Sequence, residues 1–289
     1  GSSGGGVNWK DEIQNTEGAD SIEAEIDLYF LTLNIPLAIG YKITDDLSVG
    51  VNASIVYGYN TRTVSKYYVS DTDPSLNNTF FSQSKSRGYG LSVDAGLLYR
   101  PFKEFSAGLL FRAPYTVYAS GNSRFDFGSS EQSGSEVETN QPMKAGIGFA
   151  SMPIDDLKLA FDIYYVQHSK LTVDIEYETE GFFLQNNTTD WDFADTVHCR
   201  FGAEYTGIDA IALRAGFFTD PSPFQAGSAS LATPRFTDTY LASAGLGYNL
   251  DPLAFDLSYQ YGYSPTREGN GLQIDAGSQI LSLAVVYQL

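Results

Sequence analysis

Cysteine is almost absent from these 289 residues: Cys199 stands alone, so no internal disulfide can staple the fold. Positive charge is scarce as well. The 17 Lys and Arg face 35 Asp and Glu, for a formal net charge of −18, and so acidic a chain lacks the basic patch that nucleic-acid binding needs. No apolar run is long enough for a membrane-spanning helix. The nearest, 28–41, is uncharged but interrupted by Thr32, Asn34 and Pro36. The opening Gly1-Ser2-Ser3-Gly4-Gly5-Gly6 has neither the basic start nor the apolar core of a signal peptide. Either a leader was removed or the sequence starts inside a longer protein. The only histidines, His168 and His198, lie far apart without a Gly-x-Ser-x-Gly context. Nucleophilic catalysis is poorly provided for, and no enzyme activity, metal site or cofactor is expected.

What the chain does have is a recurring phrase: a small residue, a glycine, two more residues, then an aromatic. It reads Ala95-Gly96-Leu97-Leu98-Tyr99, Ala107-Gly108-Leu109-Leu110-Phe111, Ala145-Gly146-Ile147-Gly148-Phe149 and Ala244-Gly245-Leu246-Gly247-Tyr248. In a strand, residues three apart point to opposite faces, so each phrase sets a glycine on one face and an aromatic on the other. One face of 90–100 is Leu91, Val93, Ala95, Leu97 and Tyr99; the other is Ser92, Asp94, Gly96, Leu98 and Arg100. A sheet that is apolar outside and polar or small inside suits a barrel in lipid. A soluble β-sandwich would bury its apolar faces between sheets and would not need aromatics at both strand ends.

The pattern predicts an all-β fold: a transmembrane antiparallel up-and-down β-barrel of the outer-membrane type, with about eleven strands in this chain. The strands fall near 27–43, 47–57, 88–100, 105–117, 142–151, 157–166, 196–206, 211–219, 239–249, 254–263 and 279–289. Tight turns alternate with long polar stretches near 60–87, 120–140, 167–195, 220–238 and 264–276, the short side being periplasmic. This orientation sorts the outward aromatics into two girdles. Tyr41, Tyr99, Phe149, Tyr205, Tyr248 and Tyr287 fall at the periplasmic end, and Tyr57, Phe111, Tyr165, Phe217 and Tyr261 nearer the outer end. The barrel is expected over 26–289, with 1–25 an extracellular loop or truncated N-terminal segment. The count is odd and an open edge cannot face lipid, so an upward strand is expected in a missing N-terminal part. The final strand ends in Leu289, resembling the terminal signal read by barrel-assembly machinery.

With strands and loops placed, the chain resembles the FadL family, which carries long-chain fatty acids and other hydrophobic compounds across outer membranes. The stretches that carry the resemblance are 36–50 (PLAIGYKITDDLSVG), 213–223 (LRAGFFTDPSP), and Pro234-Arg235-Phe236-Thr237-Asp238 leading into 242–248. The resemblance implies fourteen strands and an N-terminal hatch, with the eleven here matching the last eleven. It also makes the 60–87 and 120–140 stretches the pair that forms the family's outer hydrophobic groove. The hatch and the early kinked strand of the family have no counterpart here.

Inward alternation gathers Lys42, Arg100, Arg112, Lys144, Lys158, Arg200 and Arg214 in the lumen, opposite Asp94, Asp162, Glu204 and Asp256. These groups either form a mutually neutralising ladder or leave an arginine free to receive a ligand carboxylate. Arg112, Arg200 and Arg214, on strands flanking the long loops, are the candidates. In the loops, Phe80-Phe81 and Phe182-Phe183-Leu184 are apolar runs in polar surroundings, which need cover or a ligand. Phe80, Phe81, Phe182 and Phe183 are the candidates for a capture groove, the alternative being loops packed on one another as a lid. Loop acids such as Glu131, Glu136 and Glu138 read as solvated groups, or as points where a divalent cation bridges to lipopolysaccharide phosphate.

The expected function is passive uptake of hydrophobic molecules, above all long-chain fatty acids, through the bacterial outer membrane. The expected partners are that ligand, outer-membrane lipid and lipopolysaccharide, and the barrel-assembly machinery, with the chain acting as a monomer. The alternative is a porin-like, structural or adhesion barrel without a specific hydrophobic ligand.

Overall fold

Over the lower part of each strand, alternation turns apolar residues outward and their polar or small neighbours inward, and the chain assembles on that rule. The computed structural model describes residues 2–14, 21–69, 77–224, 237–269 and 272–287. They form one antiparallel sheet of 16 strands. In chain order these begin with β1 (Ser2–Gln14), β2 (Ser21–Lys42), β3 (Leu47–Val69), β4 (Asn78–Phe102), β5 (Phe105–Arg112) and β6 (Tyr115–Phe127). Next come β7 (Ser129–Gln141), β8 (Lys144–Ile154), β9 (Leu157–Val166), β10 (Thr172–Tyr177) and β11 (Asn187–Asp190). The last are β12 (Thr196–Ile208), β13 (Ile211–Asp220), β14 (Thr239–Leu250), β15 (Leu253–Gly269) and β16 (Leu272–Tyr287). No ladder joins β1 to β16 among the described residues.

Four pairs of these strands are single staves broken in the middle. The β5–β8 register Arg112↔Lys144 continues as Tyr115↔Gln141 between β6 and β7. Likewise Thr196↔Val166 between β12 and β9 continues as Thr172↔Asp190 between β10 and β11. The breaks fall at 113–114, 142–143, 167–171 and 191–195. Pro114 and Pro142 account for the first two, because proline has no N–H to give the ladder. Below this level the staves form the wall; above it β3, β4, β6, β7, β10 and β11 continue as a leaf.

All eleven expected strands are present, and the exposure pattern confirms their faces. Leu91 and Val93 are 61% and 40% exposed, whereas Ser92 and Asp94 between them are 3% and 8%. Three expectations need correction. The upward strand before β2 lies within this chain: β1 pairs with β2 from Ser2↔Leu33 to Gln14↔Ser21. The Gly4-Gly5-Gly6 run has poor strand propensity and concealed it. The expected boundary at residue 26 consequently falls inside β2. The stretches 60–87 and 120–140, expected as loops, are largely ladder, with Tyr68↔Asn78 still paired and β6–β7 forming a hairpin. Likewise β15 and β16 remain paired as far as Gly269↔Leu272. Above the bilayer both faces meet polar surroundings, so the hydrophobic alternation fades while the backbone ladder continues. The Pro234-Arg235-Phe236 stretch and the terminal Leu289 lie outside the described residues.

Candidate functional site

Above the breaks, inward aromatics from three elements converge. Phe80 of β4 meets Phe125 of β6 edge-on at 4.9 Å, and Phe125 stacks on Phe183 at 4.1 Å and 18°. Phe127 adjoins Phe80 at 6.3 Å and Tyr68 at 5.9 Å, and Lys66 lies 5.7 Å over Phe80. Such ring pairs are each worth about 0.5–1.5 kcal/mol beyond the area they bury. The sequence pairs split here, since adjacent strand residues face opposite ways. Phe81 turns outward, where Arg124 lies 5.7 Å from its ring. Phe182 packs edge-on against Phe183 but is 79% exposed.

Phe183 arrives there because its loop is clamped. The Glu131 carboxylate of β7 accepts the backbone N–H groups of Phe182, Phe183 and Leu184 at 2.8, 2.9 and 3.1 Å. The Glu178 N–H donates to the Gly134 carbonyl at 3.0 Å, and the Thr179 N–H to Ser133 Oγ at 2.9 Å. Desolvation alone would raise the Glu131 pKa. The N–H groups of Phe183, Leu184 and Phe182 outweigh it and hold the carboxyl below its ordinary range. Glu131, read from sequence as a solvated acid, is thus the anchor of the loop; a lone carboxylate in a polar segment gives no sign of which amides it will meet.

Below the breaks, the three candidate arginines differ. Arg112 is engaged: Nε is 2.5 Å from Asp94 Oδ1 and Nη2 3.3 Å from Oδ2, while Asn52 donates to the same carboxylate at 2.9 Å. Arg214 is engaged twice, to Glu204 at 2.6 Å and to Asp256 at 2.5 Å. It reaches Asp256 across the intervening β14 because Gly247 leaves room: a Cβ there would sit 3.1 Å from Arg214 Nη1 and 2.9 Å from Asp256 Oδ1. Arg200 is different. It donates to the Tyr164 hydroxyl at 3.1 Å and lies 5.0 Å over the same ring. Lys144, absent from the expected site, lies 3.7 Å from the Tyr164 ring centroid. Neither cation is within ion-pair distance of a carboxylate among the described residues, although Asp162 is the ladder partner of Arg200.

His198 stacks on Tyr164 at 4.5 Å and 6°, and its Nε2 is 2.9 Å from Thr196 Oγ1. Its Nδ1 stands 3.4 Å from Asp220, an electrostatic contact without a hydrogen bond. Beneath this group a cavity of about 430 Å³ is lined by Gly108, Leu110, Gly146, Gly148, Lys144 and Arg200, among others. Three of these positions are glycines, and side chains of β9 use the room they leave: the Asp162 carboxylate lies over Gly148 and Tyr164 over Gly146. Tyr164 was legible only through its inward parity on β9.

A single antiparallel sheet with an apolar outer face, a charged inner face and aromatics at both rims defines an outer-membrane β-barrel. The chain belongs to the outer membrane protein transport family (OMPP1/FadL/TodX), whose model matches residues 7–278. Its class is outer-membrane transport of hydrophobic compounds. The fold is similar to that of a Pseudomonas aeruginosa FadL homologue, with a TM-score of 0.68 at 15% identity, covering 99% of this chain and 74% of that one. It is similar also to CymD, a monoaromatic hydrocarbon channel (TM-score 0.63, 17% identity, 98% and 86% covered). A third likeness is to the Ralstonia pickettii toluene transporter TbuX (TM-score 0.59, 14% identity, 92% and 76% covered). No curated protein matches the chain significantly in sequence.

Proposed function

We propose that the chain takes up amphiphilic hydrophobic molecules, with long-chain fatty acids as the ligand class, by passive capture and passage rather than by chemistry. One observation carries this reading. The inward aromatic cluster of Phe80, Phe125 and Phe183 stands above a small-residue cavity whose two cations, Lys144 and Arg200, have no carboxylate partner among the described residues. An acyl chain suits the aromatic and glycine-lined surfaces, and a carboxylate suits the two cations. Arg112 and Arg214 hold the wall in register and are left out of the ligand site. Phe81, on the outer face of β4, is left out of the capture groove, and Phe182 stands at its exposed edge.

The neutral hydrocarbons named for CymD and TbuX are the competing ligand class, since an aromatic ring could stack beside Phe125. Uptake by Lys144→Gln and Arg200→Gln variants separates the two. A fatty acid should lose about 1.5–3 kcal/mol of binding per charge-assisted bond, whereas toluene uptake should be unchanged. Equal uptake of the fatty acid by wild type and both variants, at equal surface levels, would remove the carboxylate site. Loss of neither ligand on changing Phe80 and Phe183 to Ser would favour the porin-like or adhesion reading.

A further inference from the structure

The outward face of the leaf carries a feature that uptake through the lumen does not use. Three tyrosines stand side by side in register, Tyr57↔Tyr89↔Tyr118, on β3, β4 and β6. The first two rings are 5.2 Å apart, and Tyr89 and Tyr118 are 62% and 61% exposed. One step higher on the same face the row is Tyr59↔Arg87↔Ser120, and the next is Thr61↔Lys85↔Asn122. Arg87 and Lys85 are exposed, and no carboxylate lies within ion-pair distance of either among the described residues. A cleft of about 640 Å³ runs from Tyr57, Tyr89 and Arg87 across Tyr118 to Glu136 and Glu138.

The height of this row fixes what it faces. Tyr89 stands ten residues up β4 from Tyr99 of the periplasmic girdle. At about 3.4 Å per residue and a tilt of about 40°, that is about 25 Å, the height of the apolar band of an outer-membrane barrel. The tyrosines therefore sit at the outer interface, with Ile55, Leu91 and Val93 descending below them into lipid. Arg87 and Lys85 lie at headgroup level. Two unneutralised cations next to each other are notable in a chain of net charge −18. They call for an anion held just above an apolar wall.

We infer that this face binds a phosphorylated glycolipid of the outer leaflet. Its phosphate rests on Arg87 and Lys85, its sugar lies against Tyr89 and Tyr118, and its acyl chains follow Leu91 and Val93 down the wall. Glu136 and Glu138, at the far end of the cleft, keep a second phosphate away unless a divalent cation bridges them. The site is independent of the lumen route and stands or falls separately from it.

The test uses the native protein extracted from the outer membrane in mild detergent, with monophosphoryl lipid A as the probe and bound lipid counted by native mass spectrometry. Removing Arg87 and Lys85 as R87Q and K85Q should lower retention by about fivefold for each basic group. Arg62→Gln, a basic residue on the opposite face of β3, should leave retention unchanged, and dephosphorylated lipid A should not be held by the wild type. Heat-modifiable gel mobility confirms that each variant is folded. Equal retention by wild type and the double variant would overturn the site. Displacement by millimolar inorganic phosphate would instead reveal a free-anion site, and loss of a dimer in the double variant would reveal a second copy as the occupant; either outcome overturns the lipid assignment.

Discussion

The wall and the leaf are made of the same staves, yet their faces are inverted. Below the row Val56↔Gly90↔Val117, Leu91, Val93 and Ile55 point outward and are exposed, while Ser54, Ser92 and Asp94 are buried inward. Above the breaks, Ala24, Ile26 and Val64 are buried inward beside the small polar Ser123, Ser133 and Ser135, and Lys85, Arg87, Glu136 and Glu138 are outward and exposed. The inversion centres on the row Val56↔Gly90↔Val117. The difference teaches that side-chain polarity follows the solvent at each height, while the backbone ladder ignores it. Lipid outside the wall demands apolar residues there. Water outside the leaf releases that demand, and the apolar groups are free to gather inside, where a hydrophobic ligand would pass.

The sharpest way to break this comparison is to put the same charge on each side. Leu97→Arg or Leu257→Arg places a cation toward mid-bilayer lipid and should cost about 2–4 kcal/mol, with loss of the heat-modifiable folded form. Ser258→Arg, next to Leu257 but facing the lumen, should leave assembly intact. In the leaf the rule reverses: Val64→Arg should damage folding, while Thr63→Arg beside it should not. If outward and inward substitutions were equally damaging in the wall, both faces would be buried, and a sandwich rather than a barrel would be indicated.

How much of this was legible depended on where lipid imposes a pattern. In the wall, eleven strands, their faces and their tight turns could be read because alternation there is enforced. In the leaf, Ser82, Gln83, Ser84, Lys85 and Ser86 are all polar, so nothing in their order announces a strand, although they pair with β3 residue by residue. The candidate site divided the same way. The lumen cations followed from parity, but which of them are neutralised depended on long side chains crossing strands, as Arg214 does over Gly247. The Phe pairs were visible as apolar runs. That one member of Phe80-Phe81 faces in and the other out follows only once that segment is known to be strand rather than loop.

A smaller effect is expected from the aromatic cluster itself. Phe125 touches both Phe80 and Phe183, so Phe125→Ser removes two ring pairs at about 0.5–1.5 kcal/mol each. The wall should assemble normally, because the cluster lies entirely in the leaf. Capture of a hydrophobic ligand should weaken, measured as a higher half-saturating concentration with the maximal uptake rate kept. A drop in the maximal rate at unchanged half-saturation would assign the cluster to passage and not to capture.

The smallest and most local effect concerns the clamp. The folded pKa of Glu131 lies below its ordinary value, so the ionised carboxylate stabilises the loop above the ordinary carboxylate range. That contribution is lost as pH falls through the lowered folded value, since the protonated acid no longer offers three strong acceptor sites to the N–H groups of Phe182, Phe183 and Leu184. Hydrogen exchange at those three amides should be slow and pH-independent, after correction for intrinsic rates, from neutrality down to the usual glutamate range. Below it, protection should fall while the wall strands stay protected. Glu131→Gln should show the same local loss already at neutral pH, because a neutral amide oxygen is a weaker acceptor for the same donors. Unchanged protection in that variant would mean that the Glu178 and Thr179 contacts hold the loop unaided.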